Sequence, residues 1–406
     1  MKRALLGFTV IAALSTCEAV MAKDELMGFS ITGGTMFNSM DSIGLRGNRF
    51  LAVFRGDTMG EGPSLSGIGV FEGDISDEDR STMRNMRNTV CAMKDVPNLR
   101  PGNPTFFSAS VTCQDGREVN VFMDTPSIPQ DVGRAVLTPT RELITKFCKT
   151  GTPVAKLDAS AEIAQKDGKL VVTFNFRNSG KSVITFSSPA TWEGKFNPIS
   201  KASNIEIGGR PAGQKDGYFS MIFGSKDFIN ANDYTNNIVK IPPGEARYLK
   251  FAAYPKNRIS KGIYEIGGTV SIGKILEPEL LKGAAEFDMP LSKIELMEDY
   301  PSNDEQLHQL EAYRRELLWD QGSPPDVPVE ETGYYRAYGD YDESAPRGDD
   351  AQLLRKGEKF PERALLRSVG GHSLESGPVK TWRWNAYPDS KLRGNTGPDG
   401  KPETAK

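Results

Sequence analysis

Histidine is nearly absent from this chain, with His308 and His372 the two in 406 residues. Histidine is the usual general base at neutral pH, so that scarcity removes most proton-shuttling mechanisms from consideration. Cysteine is sparse too: there are four, with no Cys-x-x-Cys pair and no histidine near them, which leaves no zinc-binding pattern. No charge excess of one sign exists. The net charge of −3 argues against a general binder of nucleic acid or anionic membrane. Apolar runs of membrane-spanning length are missing as well. The Gly33-Gly34-Thr35 stretch lacks the lysine and the spacing of a phosphate-binding loop.

One stretch imitates a catalytic motif. Gly371-His372-Ser373-Leu374 begins like the Gly-x-Ser-x-Gly nucleophile elbow, but Glu375 occupies the fifth position, where the glycine should be. The elbow also needs a helix straight after the serine, and Gly377-Pro378 would break one. His308 precedes Ser373 and His372 adjoins it, so no base follows in chain order. Ser373 reads as a loop residue. The acidic group Asp340, Asp342, Glu343, Asp349 and Asp350 lacks the spacing of a calcium loop and reads as solvated. No cofactor, metal or catalytic residue is expected, and the inventory points away from an enzyme.

What is present begins with an export signal. Lys2-Arg3, an apolar run from Ala4 to Leu14 and small residues around Ala22 make residues 1–22 a cleavable secretory signal peptide. Cys17 keeps a lipid anchor open as the competing reading, Thr16 being a poor residue before a lipidated cysteine. A periplasmic location follows. Cys91, Cys113 and Cys148 then remain, so one disulfide and one free thiol are expected, with the pairing open.

Periodicity divides the rest. Residues 23–153 read as a small α+β domain. "FRGDTM" reads as a strand, and "FFSASVTCQDGREVNVFM" as a hairpin turning at Gln114-Asp115-Gly116. A helix carries Met83, Met86, Val90 and Met93 on one stripe, with Arg80, Arg84 and Arg87 on another face. A second helix has Thr138 as N-cap and Pro139 at its first position. From 156 to 295 the period becomes two: Leu170, Val172, Phe174 and Phe176 alternate with polar or smaller residues. Gly262-x-Tyr264 at the head of a late strand resembles the corner tyrosine of immunoglobulin-like β-sandwiches. Trp192 fits either the core or a loop. Residues 302–320 form an amphipathic helix with a Ser302/Glu305 capping box, a stripe of Leu307, Leu310, Tyr313 and Leu317, and a solvated His308. A Pro-rich linker (321–330), a small β module (331–388) and a disordered tail (389–406) complete the chain. The fold class is α+β, mainly β.

The β module concentrates aromatics. Tyr334, Tyr335, Tyr338 and Tyr341 lie in one short stretch, and strand alternation places them on both faces, so some should be exposed. Tyrosine beside arginine is typical of interface anchors, which makes Tyr335, Tyr338, Tyr341 and Arg336 candidate partner-binding residues. The competing assignment packs two of the tyrosines inside and leaves two passive. Met36 and Phe37, on a Gly-rich loop, are a second candidate contact. Trp382 and Trp384 share a strand face and read as core.

Gly333-Tyr334-Tyr335, then Arg355-Lys356-Gly357 through Pro361, then Trp382-Arg383-Trp384 resemble a short region of exported bacterial proteins, among them immunity proteins encoded beside type VI toxins. Relatives carry cysteines around the first element, whereas this chain has none after Cys148. The resemblance covers the last module alone. It implies a periplasmic protein that neutralises a cognate toxin protein by occlusion, with no nucleic acid and no transmembrane anchor involved. A structural or adhesive envelope protein is the alternative, and an unrecognised hydrolase a third reading.

Overall fold

The computed structural model describes residues 26–32, 40–56, 67–93, 106–125, 128–192, 203–318, 321–339, 351–367 and 374–390. The signal segment, Cys17, Met36, Phe37, the 340–350 acidic stretch with Tyr341, and the His372-Ser373 pair lie outside them. The N-terminal strands are β1 (Leu26–Thr32), β2 (Met40–Arg46), β3 (Arg49–Phe54), β4 (Ile68–Asp74), β5 (Phe106–Thr112) and β6 (Glu118–Asp124). Next come β7 (Thr152–Lys166), β8 (Lys169–Asn178), β9 (Ile184–Ser187), β10 (Asn204–Pro211), β11 (Phe219–Phe223), β12 (Ile238–Ile241), β13 (Ala246–Ala253), β14 (Gly262–Glu277) and β15 (Gly283–Leu296). The last module adds β16 (Gly333–Tyr338), β17 (Gln352–Leu354), β18 (Arg363–Arg367), β19 (Leu374–Pro378) and β20 (Thr381–Ala386). The protein is α+β and mainly β. Among the described residues no helix is long and apolar enough to cross a membrane.

Helices α1 (Asp77–Ala92) and α2 (Thr138–Thr150) cover one face of the N-terminal strands. Ser76 caps α1 by accepting the Asp79 N–H at 3.1 Å, and three acids fill its first turn. Met83, Met86 and Val90 are fully buried as their spacing predicts, while Arg87, assigned to another face, is buried as well. Thr138 is not an N-cap. Helical backbone already runs from Gln130 through a π-turn at Gly133–Leu137, and α2 continues it. Pro139 lacks the N–H that an unbroken α-helix would use, and the wider turn sits just ahead of it. Cys91 at the end of α1 is disulfide-bonded to Cys113 beyond β5, leaving Cys148 free and buried. Burial pushes the Cys148 thiol well up from its ordinary range.

The N-terminal strands and the sandwich share one sheet. Its nine strands run β13-β8-β7-β4-β3-β2-β1-β5-β6, all pairs antiparallel. β7 pairs with β4 from Thr152 to Leu157 and with β8 from Leu157 to Lys166, so it straddles the 153/156 boundary. The second sheet, β11-β10-β14-β9-β12 with β15 on β14, packs over the β7-β8-β13 end and encloses the largest core. Asn178 ends β8, and its side-chain amide donates to the Ser182 and Ile241 carbonyls, both at 2.8 Å, turning the chain across to β9 in the opposite sheet. Trp192 belongs to that core, its ring facing Phe251 and its Nε1–H donating to the Ser187 carbonyl. Tyr264 is buried in the same core, its ring meeting Phe219 edge-on at 6.0 Å, and burial raises its hydroxyl above the ordinary range.

Arg55 ties the first layer to the second. Its N–H donates to Asp41 Oδ1 at 2.7 Å, its carbonyl accepts from Glu286 N–H at 2.8 Å, and Nη2 reaches the Leu280 carbonyl. Burial pulls this guanidinium down from its usual range, with Asp41 opposing. At the β13 edge, Asn230 replaces a missing strand: its amide donates to the Tyr248 carbonyl and accepts the Lys250 N–H, both at 2.8 Å. That edge is thereby closed to further pairing.

Helix α3 (Asp304–Leu318) starts one residue later than its capping box suggests. Asn303 Oδ1 accepts the Gln306 N–H, and Gln306 Oε1 reaches back to Ser302 N–H at 2.8 Å. Its buried face is Gln306, Leu307, Leu310 and Glu311, whereas Leu317 is exposed and Tyr313 half-buried. Residues 321–330 are built into the module instead of forming a linker. Ser323 bridges Trp382, Asp326 and Val327 hydrogen-bond Phe360, and Val329 is buried. The residue after position 373 enters β19, a strand where an elbow needs a helix.

Two outcomes follow for the first layer. Replacing Cys91 and Cys113 together by serine should lower urea-unfolding stability by about 2–4 kcal/mol, because the unfolded chain regains a closed loop's entropy. The native Cys148 thiol should resist a thiol reagent at pH 8 and react once denaturant is added.

Candidate functional site

The structure moves the candidate partner-binding residues from the surface to the interior. Tyr335, Arg336 and Tyr338 are 7%, 3% and 6% exposed. Tyr335 meets Phe360 edge-on at 5.1 Å and donates its hydroxyl to the Glu331 carbonyl at 2.8 Å. Burial, with Glu331 adding to it, pushes that hydroxyl up to about 12. Tyr338 carries the Arg383 guanidinium on its ring at 4.7 Å. These three are structural groups, and the expectation of exposed anchors is corrected. β16 is central in its sheet, between β17 and β20, with buried side chains on both faces. A bulge between Tyr334 and Tyr335 further upsets the alternation on which the assignment relied. Tyr341, Met36 and Phe37 fall outside the described residues.

What these residues adjoin is a charged seam between α3, the sandwich and the chain segment after β20. Glu311 is fully buried, yet both its oxygens are engaged: Oε1 accepts from Tyr387 N–H and Oε2 from the Ser390 hydroxyl, each at 2.9 Å. Arg258, from the sandwich, grips Asp389 with two hydrogen bonds of 2.6 and 3.0 Å and stacks on Tyr387 at 4.2 Å. Arg314 pairs with Glu331, donates to the Tyr387 hydroxyl at 2.8 Å and lies over Trp384 at 4.6 Å. Arg315 donates to the Asn385 carbonyl at 2.7 Å. Asp389 and Ser390 are therefore anchored, which moves the start of any tail past them.

Electrostatics follow from burial. Burial raises the Glu311 carboxyl even though Tyr387, Ser390, Arg315 and Arg258 all favour its charge. Burial lowers Arg315, with Glu311 opposing and Arg336 adding. For Arg314, burial is more than reversed by Tyr387 and Glu331, so its net shift is upward. His308, half-buried on α3, is lowered by burial and by Arg315. Glu311 has both oxygens engaged, and Arg258 and Arg314 are held by carboxylates and rings. The cluster binds chain to chain.

Sequence reasoning did not single out Glu311, Arg258, Arg314, Tyr387 or Asp389. A signal existed: Glu311 and Arg314 continue the Leu307-Leu310 row at helical spacing, so the apolar stripe turns charged without leaving the buried face. Arg258 and Asp389 are 131 residues apart, and no pattern joins them.

No protein-family model matches this chain, and no curated protein matches it either. Solved structures give remote likenesses. The ApaA protein of Bordetella pertussis is 12% identical, covers 36% of this chain and 97% of its own, and has a TM-score of 0.19. Beta-glucosidase 3B of Thermotoga neapolitana, in complex with alpha-D-glucose, is 14% identical, with 36% of this chain and 17% of the glucosidase covered and a TM-score of 0.16.

The seam makes signed expectations. Glu311→Ala leaves the Tyr387 N–H and Ser390 hydroxyl without acceptors and should cost about 2–4 kcal/mol in urea unfolding, against less for Glu311→Gln. A raised folded pKa contributes stability in full below about pH 4.3 and loses it as pH rises through the folded value. Wild type should therefore lose ground to Glu311→Gln between pH 4 and pH 8. His308 is lowered, so its contribution is present above about pH 6.5 and lost as pH falls through the folded value; wild type should lose ground to His308→Gln on acidification.

Proposed function

We propose that this is an exported, non-catalytic protein that neutralises a cognate secreted toxin by binding and covering it. The observation that carries the reading is the seam. The buried Glu311 carboxylate, two partly exposed ion pairs and arginine–ring stacking join sandwich, α3 and C-terminal module, so the protein presents a preorganised surface instead of three tethered pieces. A binder that acts by occlusion gains from such rigidity, because little ordering entropy is lost on association. The motif shared with immunity proteins supports the reading: Tyr335, Trp382 and Trp384 make the core of that module. A disulfide linking Cys91 to Cys113 suits an oxidising compartment. Occlusion requires no chemistry of this protein's own, and the partner is a protein.

Growth provides the test. The product of the neighbouring gene is directed to the periplasm of a laboratory bacterium, with and without this protein. Killing by the neighbour alone, reversed by this protein only when its signal segment is present, is the expected result. A harmless neighbour, or rescue that persists without export, would overturn the proposal.

A further inference from the structure

The solvent-facing side of the second sheet is unlike the rest of the surface. On β10 and β14, Ile205, Ile207, Ile266 and Val270 point into the core, so their alternate neighbours face outward. Gly208 lies directly opposite Gly267 on that outer side. A side chain at Gly208 would collide with the Tyr218 hydroxyl, and one at Gly267 would meet Leu291 Cδ2 at 3.2 Å. The paired glycines thus leave a bare strip on which Tyr218 and Leu291 are laid from opposite sides. Both remain open to water, at 63% and 68% exposure. Ile263, 55% exposed, points outward four residues before Gly267, and Met297, 69% exposed, follows the end of β15 beside it.

A row of charge separates these two apolar pairs. Arg210 faces Glu265 across β10 and β14, and Glu265 faces Lys293 across β14 and β15. The sequence across the sheet is positive, negative, positive. None of the three is held in an ion pair among the described residues. Apolar contacts beside uncommitted charges match the make-up of protein interfaces, where a few large side chains supply affinity and charges set register. The row also discriminates between occupants. A two-fold axis that brings two copies into register through Glu265 sets glutamate against glutamate and Arg210 against Lys293. Like charges would meet throughout, so a second copy in that register is disfavoured.

We infer that the outer face of β10, β14 and β15 is the surface that docks the partner protein, and that the partner offers an acidic–basic–acidic row flanked by apolar recesses for Tyr218 and Ile263. This rests on the toxin-neutralising reading and specifies which surface performs it. No residue of this face belongs to the immunity-like motif, so partner choice is free to vary while the module stays constant.

Titration calorimetry with the purified neighbouring gene product tests the face, alongside the growth assay. Tyr218→Ala and Leu291→Ala alter exposed side chains and Glu265→Lys a half-buried one on the same face, and unchanged thermal unfolding verifies that each variant folds. Each should weaken binding at least about tenfold and reduce rescue, the Glu265→Lys effect shrinking in high salt. Phe122→Ala, an exposed aromatic on β6, should bind as wild type. If wild type binds and rescues but all three face variants do the same, the assigned face is wrong and the neutralising function stands. If wild type neither binds nor rescues, the function itself fails. Light scattering supplies a further check: a wild-type dimer that the face variants disperse would make a second copy the occupant and overturn the inference.

Discussion

Strand β7 is the constraint on which the architecture depends. A backbone buried in a protein must find a partner for each N–H and C=O, and β7 finds them on two sides: β4 from the helical layer, β8 from the sandwich. Neither half can be displaced from the other without breaking that ladder. Val53, Ile68 and Val70, from the N-terminal strands, pack into the same core as Phe174 and Phe251. Arg55 reinforces the junction at the β3 end, where a side chain and two backbone groups reach Asp41, Leu280 and Glu286. Two patterns that read as separate domains are thus one hydrogen-bonded body.

The C-terminal junction works by different physics. Tyr254 and Tyr300 extend the module's apolar cluster toward the sandwich, and charged groups complete the junction. Glu311 is costly to bury, so it is accompanied by two donors and two nearby guanidinium groups. Such a network is weak evidence for extra stability and stronger evidence for a single geometry, since a displaced module would strand Glu311 and Arg314 among unmatched groups. The aromatic rings of Trp384 and Tyr387 share this task by receiving arginines on their faces.

This division bears on function. The aromatic residues that carry the resemblance to immunity proteins are interior, and they account for why that module is rich in tyrosine and tryptophan. Exposed apolar groups sit instead on the sandwich, above a pair of glycines. Under the proposed reading, scaffold and contact surface are supplied by different stretches of chain, one through its large side chains and the other through the lack of them at Gly208 and Gly267.

Local patterns were legible from sequence wherever one residue's environment follows from its neighbours. Met83, Met86 and Val90 at helical spacing, the Leu170 to Phe176 alternation, the Gln114–Gly116 turn and the tryptophan pair Trp382 and Trp384 all sit where their periodicity places them. The disulfide was legible as one among three cysteines, but Cys91 and Cys113 were brought together by the fold. Alternation says which side chains share a face. It is silent on what covers that face, so alternation leaves Tyr335, Arg336 and Tyr338 open between anchor and core, and the fold puts them inside a doubly covered strand. Periodicity is a property of a few consecutive residues, so the sequence by itself determined the elements and the mainly β class. Burial, the Arg258–Asp389 grip and the continuous sheet through β7 depend on residues far apart in the chain, and only the tertiary structure decided them.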